Sequence, residues 1–202
     1  MKTVVVGTLA VAALAASTAM ADTVRLYDTG VGTTSGGSFR AETGARGTFE
    51  TFCIERDEYL TYGALYYYKI SGAAEDGGLG GGNPDPIDAI TQNIYYGFRK
   101  GLLTITGTAD EIVDAVQTAI WYEEGELIWG NVTAKGQALI NHFSNPSNYL
   151  AGYDNVRVMN VYQNSNYTGN KQDQLIIVPL PHTSGLAGAG LLGLAAVRRR
   201  RA

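Results

Sequence analysis

The stretch from Asp85 to Trp121, DPIDAITQNIYYGFRKGLLTITGTADEIVDAVQTAIW, holds the clearest helix punctuation in the chain and decides how the rest is read. Asp85 offers an N-cap with Pro86 at the first helical position. Ile87, Ile90, Ile94 and Phe98 then recur at helical spacing up to Gly101. A second helix opens on Thr108-Ala109-Asp110-Glu111, a capping box whose hydroxyl and carboxylate satisfy free amides reciprocally, and runs to about Trp121. A third spans Thr133 to Phe143 and is stopped by Asn145-Pro146. Outward from this block the pattern changes to short segments rich in β-branched and aromatic residues: Thr23–Tyr27, Ser38–Glu42, Gly47–Glu55, Tyr66–Ile70, Val156–Tyr162 and Gln174–Val178. Gly77-Gly78-Leu79-Gly80-Gly81-Gly82 reads as a flexible loop whose exit is stiffened by Asn83-Pro84-Asp85-Pro86. Strands at both ends with helices between them predict an α+β fold, a β-rich sandwich or barrel carrying a small inserted helical lobe.

Composition narrows the function classes. Of 202 residues, 45% are hydrophobic and 17% charged, which fits one globular domain with tails. The net charge of −4 conceals a more acidic middle. Lys2 and Arg198–Arg201 lie in the tails and all 19 carboxylates lie between them, leaving ten bases against 19 acids, a net of −9. Such a body repels phosphate backbones, so a nucleic-acid partner is disfavoured. Two histidines and one cysteine supply neither a His/Cys metal cage nor a disulfide framework, and nothing in the sequence calls for a cofactor.

The termini read as addresses. Lys2, the apolar run Val4–Ala16 and the small-x-small triplet Ala19-Met20-Ala21 form a secretory signal peptide, residues 1–21, with cleavage between Ala21 and Asp22 by signal peptidase after Sec export. At the other end, residues 179–202 combine Pro179-Leu180-Pro181, an apolar run from Gly185 to Val197, and Arg198, Arg199, Arg200 and Arg201. The apolar run is shorter than the roughly 20 residues that cross a bilayer, and the arginines would hold it on the cytoplasmic side. These three parts, in this order, resemble the PEP-CTERM sorting signal of Gram-negative bacteria in its VPLP-type form, with Leu180 where the family name has glutamate. The resemblance implies an exosortase-like sorting enzyme as partner and inner-membrane contact, transient or permanent. It also implies a final location at the cell surface or outside the cell.

Between the tails, residues 22–178 contain one constellation with chemistry in it: Thr51-Phe52-Cys53-Ile54-Glu55 on an expected strand and Val116-Gln117-Thr118-Ala119-Ile120-Trp121 on the second helix. Together they resemble the thioester domain of bacterial surface adhesins. The resemblance implies an internal bond made when the Cys53 sulfur attacks the Gln117 side-chain carbonyl and expels ammonia, storing an acyl group that an amine can later take. On a helical wheel Gln117 lies about 40° beyond Val113, at the edge of the face formed by Val113, Val116 and Ile120, so it should be half-buried. Trp121, one turn on, is placed to shield it. Such transfer is single-turnover, so the expected product is a bond to an amine-bearing surface protein or exopolysaccharide and not enzymatic catalysis. Three alternatives stand beside this one: Cys53 as plain core, Gln92 in Thr91-Gln92-Asn93-Ile94-Tyr95 as the partner glutamine, and an intermolecular disulfide.

Other groups point less far. His142 has no readable partner, His182 falls in the sorting segment, and no nucleophile-elbow signature accompanies either. Asp57/Glu58 and Glu123/Glu124/Glu126 read as solvated charge runs before they read as a glycosidase pair. The many tyrosines, among them Tyr59, Tyr62, Tyr66, Tyr67 and Tyr68, suit a sugar- or protein-contacting surface where exposed, while most of them read as half-buried strand residues. The expectation is therefore an exported surface or matrix protein acting as a covalent adhesin. The alternative is a non-covalent structural or carbohydrate-binding matrix protein in which Cys53 and Gln117 only pack.

Overall fold

Apolar and polar residues alternate along the first strands, the pattern of a sheet with one covered face. In the structure, a computed structural model that describes residues 21–33 and 36–179, these become Asp22–Asp28 (β1), Phe39–Thr43 (β2) and Gly47–Thr51 (β3). Tyr66–Ser71 (β4) follows, then the short pair Ala73–Ala74 (β5) and Asp85–Pro86 (β6), and finally Val156–Tyr162 (β7) and Asn170–Ile177 (β8). Six of them form one curled antiparallel sheet in the order β3-β2-β1-β4-β7-β8, with β5 and β6 paired apart. Three helices, Ala89–Lys100 (α1), Ala109–Glu123 (α2) and Ala134–Phe143 (α3), lie in sequence between β6 and β7. The fold is α+β with a β-rich core.

The curl has a local cause. Beyond β3 the chain continues extended and meets the far edge of the sheet: Leu175 N–H donates to Phe52 O at 3.1 Å, and Ile54 N–H donates to Asp173 O at 3.0 Å. Cys53 and Gln174 thus face each other in an isolated antiparallel bridge. The segment after β3 and the outer strand β8 pair there, which covers part of the edge that a flat sheet would leave. A bulge in β8 sets Gln172 and Asp173 against Asn160 alone, and the amide it leaves over, Val161 N–H, donates to Asp173 Oδ1 at 2.8 Å.

Two apolar clusters sit on opposite faces of this sheet. One joins Val156, Val158, Leu175, Phe52 and Ile54 to the helices. The other fills the inner face with Val24, Leu26, Phe39, Tyr66, Tyr68, Met159, Val161 and Ile176. Because β7 and β8 are covered on both faces, they are buried almost without interruption, whereas β1 alternates. Helix α2 spans both clusters: Val113, Val116 and Ile120 belong to the first, Trp121 to the second.

The element bounds correct the sequence reading at three places. The strand expected over Gly47–Glu55 ends at Thr51, and Cys53 lies beyond it in the isolated bridge, because only the flanking Phe52 and Ile54 bond to β8. Asp85 and Pro86 do not start α1. They pair with β5, Ile87 N–H is taken by Gly72 O, and Asp88 occupies the N-cap position. β8 starts at Asn170, four residues before the expected Gln174, because its polar residues find partners inside. Elsewhere the chemistry read from sequence is present. The Thr108–Glu111 capping box forms in both directions, Thr133 caps α3, and Gly101 ends α1 at φ 64°, the left-handed conformation glycine adopts without strain.

Most of the expected signal peptide and most of the sorting segment, including Pro181 and Arg198–Arg201, lie outside the described residues. Of the positions named for them, Ala21 is the first residue described, Asp22 starts β1, and Pro179 is the last described. Among the described residues no helix is long and apolar enough to cross a membrane.

Candidate functional site

Alternation along the extended segment after β3 sends Phe52 and Ile54 to the helix-facing cluster and Cys53 to the inner face. The hydrogen bonds of the Cys53–Gln174 bridge are made by the flanking residues, so the Cys53 carbonyl points away from β8 and needs another donor. Gln117 supplies it: Nε2 donates to Cys53 O at 2.9 Å. In return the Cys53 thiol donates to Gln117 Oε1 at 3.4 Å. Both residues are 0% exposed. Gln117 is therefore not half-buried at a helix edge, as the helical wheel alone predicts. The inner face of the sheet and the β1–β2 loop cover the side that the wheel leaves open. Gln92 is elsewhere, its Nε2 donating to Val156 O at 3.2 Å.

That covering loop was not singled out in the sequence. It docks on the first turns of α2: Gly32 N–H donates to Asp110 Oδ1 at 2.9 Å, Thr33 N–H to Asp114 Oδ1 at 2.8 Å, and the Thr33 hydroxyl to Asp114 Oδ2. Gly36 then lies flat against the site. A Cβ there would sit 2.6 Å from the Trp121 ring and 3.0 Å from Gln117 Cγ. The readable signal was the run of small residues Gly30 to Ser38, which permits this close approach.

Trp121 follows Gln117 by one helical turn and is 3% exposed. Its indole N–H is buried without a hydrogen-bond partner of ordinary geometry. The Arg56 guanidinium lies 5.9 Å from its ring centroid. Arg56 also lines a surface pocket of about 280 Å³ with Phe39, Asp57, Glu58, Tyr59 and Tyr62. Arg56 thus connects this pocket to Trp121, and Phe39 connects it to the inner cluster that holds Cys53.

Burial, and then the nearby Glu55 carboxyl, push the Cys53 thiol well above its ordinary range, while Trp121 acts in the opposite direction. Cys53 is thus a thiol at neutral pH. Glu55 and Asp173 form a buried carboxyl pair, both raised chiefly by burial. Glu55 Oε2 accepts Asp173 N–H at 2.8 Å, and Asp173 accepts from Glu75 N–H, Asn160 and Val161 N–H. The run Glu123/Glu124/Glu126 is not a solvated face: Glu124 and Glu126 are 5% and 4% exposed. Glu126 accepts from the backbones of Arg56, Leu79 and Gly80, tying the segment after Cys53 and the glycine-rich loop to the end of α2. Glu124 accepts Asp88 N–H at 3.3 Å and is pushed up to about 7 by burial. His142 is exposed on α3 and packs edge-on against Phe143.

Chemically, the arrangement places a thiol against a primary amide, both closed to water, with the Trp121 N–H, a donor that lacks a partner of ordinary geometry, in the same cluster. It suits internal acyl transfer, from amide nitrogen to sulfur and then to an incoming nucleophile. Compared with known families, curated proteins and solved structures, the chain matches none of them, so the function is argued from this geometry.

Proposed function

We propose that the protein is an exported surface or matrix component whose body is a single-use covalent tether, charged by a Cys53–Gln117 thioester. The observation that carries this reading is the paired contact of Cys53 Sγ with Gln117 Oε1 and of Gln117 Nε2 with Cys53 O, both side chains fully buried. Sulfur attack on the Gln117 carbonyl carbon forms the S–C bond, the thiol proton passes to nitrogen, and the C–N bond breaks to release ammonia. An amine entering past Arg56 and Trp121 would then take the acyl group, returning the Cys53 thiol. The closure of the sheet through Phe52–Ile54 supports a barrel over a sandwich for the architecture around the site. The signal peptide and the exosortase-type tail would place this tether beyond the inner membrane.

The test is a thiol count in denaturant at mildly acidic pH. The thioester reading expects no alkylatable thiol in freshly unfolded protein and one after prior exposure to methylamine. One thiol from the outset would overturn it. The second reading, a non-covalent matrix protein with Cys53 as core, is favoured by the raised thiol, since burial in apolar surroundings makes a cysteine inert. It expects that single thiol in every sample.

A further inference from the structure

Trp121 is more than a cover. Its N–H is a buried donor without a hydrogen bond of ordinary geometry, which costs about 1–3 kcal/mol unless some state of the site employs it fully. A phenylalanine or leucine would seal Gln117 equally well without that cost. The indole shares the inner cluster with Cys53, lies one turn from Gln117, and is held in place by Gly36 on one side and Arg56 on the other. We propose that the Trp121 indole N–H is the donor that stabilises the Cys53 sulfur whenever it carries negative charge. The proposal rests on the thioester reading and names the residue that makes its sulfur chemistry feasible.

Two steps need such a donor. In bond formation, the S–H bond breaks as sulfur adds to the Gln117 carbonyl carbon, the proton ends on nitrogen, and ammonia departs. In acyl transfer, the amine nitrogen adds to the same carbon, the C–S bond breaks, and sulfur leaves with the electron pair before taking the proton that the amine loses. Charge on the sulfur is otherwise opposed chiefly by desolvation in the apolar lining, and by Glu55 and Glu126 in their ionised forms. Trp121 is the side chain that acts the other way. A hydrogen bond to a charged partner is worth more than one to a neutral partner, so the donor favours the charged states over the resting thiol.

The test compares the full protein with Trp121→Phe and with a form carrying benzothienylalanine at position 121, which keeps the bicyclic shape and lacks the N–H. Intact mass follows ammonia loss on refolding and acyl transfer to methylamine between pH 6 and 9. Both replacements should slow both steps roughly 10- to 100-fold. Both should also move the rising limb of the formation rate to higher pH. Rates and pH profiles equal to those of the parent in the benzothienylalanine form would overturn the proposal, whatever Trp121→Phe does to folding. If the parent itself never loses ammonia, the thioester reading fails instead, and this proposal with it.

Discussion

Cys53 and Gln117, 64 positions apart in sequence, hold each other by two hydrogen bonds, thiol to amide oxygen at 3.4 Å and amide nitrogen to backbone carbonyl at 2.9 Å. The pair fixes the rotamer of Gln117 and the orientation of its carbonyl toward sulfur at once. Sheet and helix are locked together at that point, because Cys53 belongs to the segment that closes the sheet and Gln117 to the middle of α2.

Gln117→Glu keeps the shape, removes the Nε2 donor and has no ammonia to lose. The variant should show the plain sequence mass and lose about 1–3 kcal/mol of stability in urea denaturation. The loss should be larger at pH 7.5 than at pH 4.5, since a buried carboxyl is tolerated only when protonated.

Gly36→Ala places a methyl group 2.6 Å from the Trp121 ring, against atoms that have nowhere to move. Overpacking of this kind costs about 1–3 kcal/mol. In a Trp129→Phe background, where Trp121 is the remaining tryptophan, acrylamide should quench fluorescence more strongly after the substitution than before it.

Asp114 accepts two bonds from Thr33, so Asp114→Ala should release the β1–β2 loop. Hydrogen exchange of amides in residues 29–38 should rise at least several-fold while α3 is unchanged, with a cost of about 1–3 kcal/mol. Asp114→Asn, which keeps one acceptor, should fall between the two.

Glu124 is raised to about 7, chiefly by burial, against an ordinary value of 4.5. A carboxyl whose folded value lies above its unfolded value stabilises the protein fully below the lower value, and that contribution is lost as pH rises through the upper one. Stability should therefore fall between about pH 4.5 and 7, by up to about 3 kcal/mol from this group. Glu124→Gln should flatten that part of the profile; an identical slope in the variant would assign the dependence to the other raised carboxyls, Glu123, Glu55 and Asp173.

Local chemistry was legible in the sequence where one element sufficed. The Thr108–Glu111 box, the Thr133 cap, the Gly101 stop and the full extent of β7 follow from residues within a few positions of each other. What escaped was set by distant partners. Asp85–Pro86 joins β5 because Gly72 and Ala73 are there to pair with it. Polar Asn170–Asp173 belong to a strand because β7 and Glu55 use their backbone and side-chain groups. The candidate site divides in the same way. Cys53 and Gln117 could be named from their motifs, but the loop that seals them, with Thr33 and Gly36, and the carboxylates Glu55, Glu126 and Asp173 around them, take their roles from packing across the fold.

The measurement that bears most directly on the central claim is the intact mass of the purified protein before and after incubation with methylamine, beside Cys53→Ala. The account predicts a deficit of about 17 Da, one ammonia, in the parent alone, replaced by the methylamide after incubation. A parent mass equal to the plain sequence and unchanged by the amine would contradict it, leaving Cys53 and Gln117 as a hydrogen-bonded pair in the core.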